Sequence, residues 1–226
     1  MDIGRAFGVL FEDKDWVMKL VLGSVLMLIP IFGQLALLGY GIAIIRNVIA
    51  DDPNPLPAWE NIGDYFVDGL KLALVNLIYA VPLILVGCLF FGVGILPALG
   101  GDSDELMVVL MGMTSIVTLC LTCVVILYAL FLGLLSPVLH IFYAESGDIG
   151  ACLRFGEVFR YLSNHIGPII VSLLVVWAIN AFILPIVLVV SLGLLALPTA
   201  FWMKTVSCHL YGQISRQAQL TVPGGF

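Results

Sequence analysis

Charge is what this sequence lacks. Only 11% of its 226 residues are Asp, Glu, Lys or Arg, whereas soluble domains carry roughly 25%. Hydrophobic residues make up 62% of the chain, more than a soluble core can bury. The composition therefore excludes an ordinary soluble domain, and the net charge of −6 argues against nucleic acid as a partner.

Four long stretches contain no acidic or basic residue: Leu20–Ile45, Leu72–Gly101, Leu106–Ala144 and Tyr161–Met203. Each exceeds the about 20 residues that cross a bilayer as a helix. Backbone N–H and C=O groups in lipid must bond within their own segment, so these stretches are predicted to be helical. We therefore expect an all-α fold, a polytopic integral membrane helical bundle, with residues 1–226 in a single membrane domain.

Four full crossings are predicted, at residues 72–99, 106–136, 166–184 and 186–206. The last two come from one apolar stretch, which is long enough for two helices bent near Pro185. The N-terminal stretch 20–45 is interrupted at Pro30 and Gly33. Its halves of about 13 residues reach only about 20 Å each, so a re-entrant or short hairpin is favoured over one long tilted helix.

Three segments that lead into the apolar stretches are amphipathic: residues 5–19, the helix that ends the cytoplasmic region 46–71, and residues 151–164. Such helices lie in the headgroup plane of a membrane. The candidate interfacial residues in these segments are Trp59, Asp68, Lys71, Arg154 and Arg160. Asp68 and Lys71 are spaced to form an ion-pair hinge or to contact lipid headgroups, with a solvated face as the alternative.

The loop 100–105 has no basic residue and carries Asp102, Asp104 and Glu105. The positive-inside rule places this loop outside the cell. The other connections can then hold every basic residue of the chain on the cytoplasmic side. Both termini are therefore predicted to be cytoplasmic.

Several short motifs resemble the prokaryotic membrane family called domain of unknown function 4013. The motifs are Asp15-Trp16, the turn at Ile29–Gly33, Gly39-Tyr40, Ile45–Val48, Leu56–Trp59, Phe66–Lys71 and, toward the C-terminus, Phe155–Val158 with Asn164. The resemblance implies a multi-spanning protein of a bacterial or archaeal cytoplasmic membrane. It brings no reaction, substrate or catalytic residue to carry over.

Motifs for known chemistry are scarce. Cys120 and Cys123 have the spacing of a redox or metal pair, but they lie inside an apolar stretch with no second pair and no nearby histidine. Five cysteines in all give no disulfide framework. No phosphate-binding loop, dinucleotide fingerprint or nucleophile elbow is present. We therefore predict no catalytic residue, no metal site and no cofactor.

Polar residues inside the apolar stretches are the remaining candidates for function, because burying them in lipid is unfavourable unless they find a partner or line a cavity. They are Gln34, Asn76, Asn180 and His140. Gln34 follows the Pro30–Gly33 break, as polar groups do beside the broken helices of transporters. The alternative is interhelical hydrogen bonds worth about 0.6 kcal/mol each.

Three functions remain open. The first is a non-catalytic accessory or scaffold subunit, or a protein that organises the bilayer. Its expected partners are the lipid bilayer and either other protein subunits or further copies of itself. The alternative is a small oligomeric transporter or channel. A membrane enzyme that acts on lipid ranks third, because it needs a titratable cluster at the interface.

Overall fold

The computed structural model describes residues 2–100 and 104–221, so Asp102 of the predicted external loop lies outside the described residues. The α-helices are α1 (Ile3–Gly8), α2 (Trp16–Met27), α3 (Phe32–Ile49), α4 (Ile62–Ile95), α5 (Asp104–Ser146), α6 (Ile149–Cys152), α7 (Phe155–Asn164), α8 (Ile166–Ala178), α9 (Leu184–Val190) and α10 (Ala196–Thr221). Short 3-10 segments lie at Trp59–Asn61 and Leu96–Gly100, and a π-helical segment lies at Ile179–Ile183. The predicted all-α class is confirmed.

Within the described part of the chain, four helical stretches are long and apolar enough to cross a membrane: Phe32–Ile49, Trp59–Ala98, Asp104–Ser146 and Ile166–Val190. The longest, α5, has 43 residues, which gives a length of about 65 Å. The hydrocarbon core of a bilayer is only about 30 Å thick. The helix is therefore long enough to continue well beyond the apolar layer.

The N-terminal stretch forms a helical hairpin of α2 and α3. The turn between them includes Pro30 and Ile31, and Ile31 has a positive φ of 63°. A Cβ at Gly33 would overlap the carbonyl oxygen of Leu26, so only glycine allows so close an approach. Helix α3 continues past the end of the apolar stretch to Ile49, which makes its 18 residues longer than the predicted half of about 13 residues and gives a length of about 27 Å.

The C-terminal reversal differs from the prediction. The chain stays helical from α8 through the π segment and α9, and it turns at residues 191–195 instead of at Pro185. Pro185 lies in the first turn of α9, where proline is tolerated, and the π segment directly precedes that helix. Leu192 and Gly193 have positive φ angles of 52° and 84°, and this left-handed pair makes the turn.

Two other predicted boundaries are not helix ends. Helix α4 runs unbroken from its amphipathic first turns through the predicted crossing, with Pro82 in its interior. Helix α5 passes through Pro137 and ends at Ser146, ten residues beyond the predicted end. Proline inside an apolar helix is tolerated where neighbouring groups satisfy the freed carbonyl, so proline alone does not mark the boundaries here.

The chain divides into two compact units, which we call the main unit (Met1–Val75 and Ser136–Phe226) and the hairpin unit (Asn76–Leu135). The core of the main unit includes the fully buried side chains of Tyr40, Tyr143 and Phe201.

Helices α3 and α4 touch through their backbones. A Cβ at Gly39 would overlap the Tyr65 carbonyl oxygen, and a Cβ at Gly69 would overlap the Leu35 carbonyl oxygen. The two glycines therefore set how closely these helices pack.

Candidate functional site

The hairpin unit presents an apolar surface that its own residues do not cover. Of its described residues, only Tyr79 and Leu135 are buried, and the Tyr128 hydroxyl donates to the Tyr79 carbonyl oxygen at 2.8 Å. Side chains such as Phe91 and Val108 are 78% and 69% exposed. Exposed apolar surface on this scale marks contact with lipid or with another protein.

Glycines on the hairpin unit stand in open space. A Cβ would meet no atom within 4 Å at any of Gly87, Gly92, Gly94, Gly112 and Gly133. Small residues permit close helix contact in membranes. Nothing within the described chain uses that possibility at these positions.

In the main unit, the ends of α3, α4 and α5 are joined by Arg46, Asp68 and Tyr143, which we call the polar joint. Arg46 Nη1 lies 2.5 Å from Asp68 Oδ2, and the Tyr143 hydroxyl donates to Asp68 Oδ1 at 2.8 Å. Arg46 Nε also donates to the Ala144 carbonyl oxygen at 3.1 Å. The acid is about one-fifth exposed, at 21%. Charge-assisted bonds of this kind are the stronger class of hydrogen bond.

The polar joint changes the interpretation of Asp68. Its salt bridge is with Arg46, from a different helix, and not with Lys71 three residues along its own helix. Its carboxylate is therefore not part of a solvated face. Helical spacing identifies only which residues are neighbours on one helix. The salt-bridge partner of Asp68 is Arg46, which lies on another helix.

A cleft lies where the N-terminal segment meets the ends of α3 and α10. It has a volume of about 260 Å³, and we call it the terminal cleft. Its polar lining consists of Asp2, Arg5, Asp51, Asp52, His209, Gln213, Arg216 and Gln217. Two nitrogens of the Arg216 guanidinium donate to the two carboxylate oxygens of Asp51. This bidentate pair ties α10 to the end of α3.

Gln213 links α10 to the N-terminal segment. Its Oε1 accepts the Asp2 backbone N–H at 2.6 Å, and its Nε2 donates to the Asp2 carbonyl oxygen at 3.0 Å. The same Nε2 lies 3.1 Å from Nδ1 of His209. Because an amide nitrogen only donates, Nδ1 accepts, and the proton of the neutral imidazole is on Nε2.

His209 is a buried, uncharged group on the wall of the cleft. It is only 3% exposed. The pKa of His209 is lowered to about 4, mainly by burial and also by the positive charge of Arg5, while the negative charge of Asp2 opposes the shift. The imidazole is therefore neutral at pH 7, in agreement with its accepting Nδ1.

A buried cation, Lys19, lies in the first turns of α2. Lys19 Nζ contacts Asp13 Oδ2 at 2.6 Å and donates to the Leu56 carbonyl oxygen at 2.7 Å. Nearby, Trp59 stacks on Tyr40 with ring centroids 4.2 Å apart. Lys19 therefore binds the proline-containing loop to the N-terminal helices.

The four predicted intramembrane polar residues do not form one described cluster. Three bond to backbone carbonyl oxygens: Gln34 Nε2 to Met27 at 3.3 Å, Asn180 Nδ2 to Val176 at 2.9 Å, and His140 Nδ1 to Ser136 at 2.7 Å. These three belong to the main unit, whereas Asn76 belongs to the hairpin unit and is half-buried. The bonds are local, so a role in a shared path stays a hypothesis.

The predicted interfacial residues have different surroundings. Trp59 is half-buried in the aromatic stack, while Arg154 and Arg160 are exposed. Arg154 Nη1 lies 3.6 Å from Glu157 Oε2 in an exposed pair. Helix α7 buries Val158, Tyr161 and Leu162 but exposes Phe155 and Phe159, so its apolar residues face both the protein and its surroundings.

Sequence reasoning missed the polar joint, the Lys19 contacts and the terminal cleft. Arg216 and Asp51 are 165 residues apart, and no local pattern links such positions. The adjacent pair Asp51-Asp52 ahead of the proline-containing loop was the available signal. An acidic pair at the end of an apolar helix indicates that a basic side chain lies nearby. It does not indicate which basic residue of the chain this is.

Four helices suited to cross a membrane, with an uncovered apolar hairpin unit, define the class as a multi-pass all-α protein. Residues 22–198 match the model of the family described as "Protein of unknown function (DUF4013)", and the chain belongs to that family. Neither a curated protein nor a solved structure matches the chain.

Proposed function

We propose that this chain is a non-catalytic accessory or scaffold subunit of a prokaryotic cytoplasmic membrane, or a protein that organises the bilayer around it. The observation that carries the proposal is the hairpin unit, which buries only Tyr79 and Leu135 among its described residues and exposes most of the others. Contact among its apolar side chains brings no hydrophobic free energy when lipid surrounds them. The hairpin unit is thus available to a partner helix or to lipid.

The chemistry of the hairpin unit supports the same proposal. The two apolar stretches that form most of this unit contain no Asp, Glu, Lys or Arg: Leu72–Gly101 and Leu106–Ala144. Ion-coupled transport commonly relies on intramembrane carboxylates or basic residues. The open glycines add room for a partner helix to approach closely.

Both termini are placed in the cytoplasm by this proposal. Arg5 and Arg216 line the same cleft, so the N-terminal segment and the end of α10 lie at one end of the main unit. Basic residues favour the cytoplasmic side. Alkaline phosphatase fused after the C-terminus should be inactive, and the same enzyme inserted after Gly100 should be active. The reverse pattern would contradict the orientation.

The proposed role is tested by photo-crosslinking in the native host. A photoreactive amino acid replaces Leu119, which is 67% exposed on the hairpin unit, and a matched control replaces exposed Asn54 in the loop of the main unit. Cells are irradiated, and the adducts are purified in nanodiscs and quantified by mass spectrometry. One protein should crosslink from position 119 in stoichiometric amount, and not from position 54.

Two results would change the assignment. Adducts from position 119 with lipid alone would leave the bilayer-organising role and remove the accessory role. If position 119 crosslinks only to a second copy of the chain, and the purified protein also carries solute across liposomes, the proposal is wrong and the chain is a transporter or channel.

A further inference from the structure

Three charged side chains that line the terminal cleft take part in no salt bridge within the described part of the chain: Arg5, Asp2 and Asp52. Among the described residues, the salt bridges are Lys19–Asp13, Arg46–Asp68, Arg154–Glu157 and Arg216–Asp51. Neither the Arg5 guanidinium nor the Asp52 carboxylate takes part in any of them. Within residues 2–100 and 104–221, the hydrogen bond that the Asp52 carboxylate accepts is from the backbone N–H of Asn54, at 2.9 Å.

The other charges of the cleft already have roles. Asp51 and Arg216 neutralise each other in their bidentate pair. The Asp2 carboxylate caps the first turn of α1 by accepting the Arg5 backbone N–H at 2.9 Å, so it is held at the start of that helix. His209 is neutral, with its proton on Nε2, so it adds no charge to the cleft.

The balance of charge selects among ligands. The lining holds three carboxylates and two guanidiniums, so a simple anion would be repelled by the excess of acid. A simple cation would leave Arg5 without a partner. A ligand that carries both charges satisfies Arg5 and Asp52 at once.

The size of the cleft limits the ligand further. Pockets for drug-sized molecules have volumes of about 300–1,000 Å³, and this cleft is slightly smaller, at about 260 Å³. Val48, Pro55 and Leu220 add an apolar part to its lining. The space therefore suits a compact polar molecule with a short aliphatic part.

We propose that the terminal cleft binds a small zwitterion, with a phosphate or carboxylate at the Arg5 guanidinium and an ammonium at the Asp52 carboxylate. The headgroup of an amino-phospholipid and a free amino acid share this chemistry. Such a site gives the chain a ligand that its proposed scaffold role does not require. The two are independent, because the site is in the main unit and the scaffold role rests on the hairpin unit.

The test is isothermal titration of the purified full chain in detergent with four probes. Glycerophosphoethanolamine and glycine are zwitterions, glycerol 3-phosphate carries only the anion, and ethanolamine carries only the ammonium. At least one zwitterion should bind at least tenfold more tightly than both single-charge probes. Preference for glycerophosphoethanolamine identifies a lipid headgroup as the source, and preference for glycine identifies a free amino acid.

Variants locate the site. Arg5→Gln and Asp52→Asn should each weaken binding of the preferred zwitterion at least tenfold. Arg154→Gln removes an exposed arginine on α7 and should leave binding unchanged. The proposal is overturned if glycerol 3-phosphate or ethanolamine binds as tightly as both zwitterions, if none of the four probes binds at millimolar concentration, or if both cleft variants bind like the parent. Should a variant fail to fold, the ranking of the four probes on the unmodified chain still decides.

Discussion

The main unit and the hairpin unit are both rich in apolar residues, yet they place them differently. The main unit buries Tyr40, Tyr143 and Phe201 and joins its helices through ion pairs. The hairpin unit has no salt bridge among its described residues, and of these only Tyr79 and Leu135 are buried. Similar hydrophobicity therefore serves internal packing in one unit and contact with the surroundings in the other.

The comparison predicts the largest effect for a bulky residue at the contact of α3 and α4. Gly69→Leu should prevent the main unit from folding, because even a Cβ there overlaps the Leu35 carbonyl oxygen. Gly87→Leu on the hairpin unit is the matched control, since a Cβ there meets nothing. Size-exclusion chromatography in detergent should show loss of the monodisperse peak for the first variant only. Equal profiles would contradict the close contact.

A charge on the hairpin unit should have the next largest effect. Leu119→Arg places a guanidinium in the centre of an apolar helix, which costs roughly 2.5–3.5 kcal/mol of insertion free energy. The amount of membrane-inserted protein should fall severalfold. Leu220→Arg, near the end of α10 where the side chain is 74% exposed, should be tolerated. Normal insertion of the position 119 variant would mean that this surface faces water.

Breaking the polar joint should have a moderate effect. Removing one partner of a buried pair costs about 3–5 kcal/mol and of an exposed pair about 0–1 kcal/mol, so for this partly buried pair we expect about 2 kcal/mol. Asp68→Asn should therefore lower the thermal unfolding temperature. Glu157→Gln, which breaks only the exposed Arg154 pair, should barely change it. A double-mutant cycle with Arg46→Gln would isolate the coupling, and additivity would rule out the joint.

The smallest effect concerns acid pH. His209 has a pKa of about 4 in the folded chain against its ordinary 6.5, so the unfolded chain binds the proton first as the pH falls. The stability of the main unit should then decrease from about pH 6.5 down to about pH 4, with no contribution from this group above pH 7. His209→Gln should flatten that part of the curve of unfolding temperature against pH. A variant curve that runs parallel to the parent curve would show that His209 is not held neutral.

Several features of the fold follow from local sequence because they depend on local chemistry. Pro30 and Gly33 predict the turn of the N-terminal hairpin, and the charge-free stretches predict the apolar helices. The prediction of the second reversal at Pro185 was wrong, because the π-helical segment Ile179–Ile183 directly ahead of it lets the helix continue past the proline. The turn at Leu192 and Gly193, seven and eight residues later, has a weaker sequence signal.

The candidate site was less predictable. Arg154 and Arg160 are exposed, as an amphipathic pattern indicates, but Asp68 pairs across helices and Trp59 stacks in a cluster. Periodicity reports which residues share a face of one helix. It does not report which helix comes to lie against that face.

The sequence by itself determined the class of this protein, because apolar stretches that are too long for a soluble core and free of charge must be helices that lipid can surround. Only the tertiary structure decided that Arg46 forms a salt bridge with Asp68 and that Asp2 is hydrogen-bonded to Gln213. It also decided that Arg5 and Asp52 line one cleft without a salt bridge among the described residues. Those contacts join residues far apart in the chain. Their partners are chosen by packing and by the balance of buried charge, which no local pattern encodes.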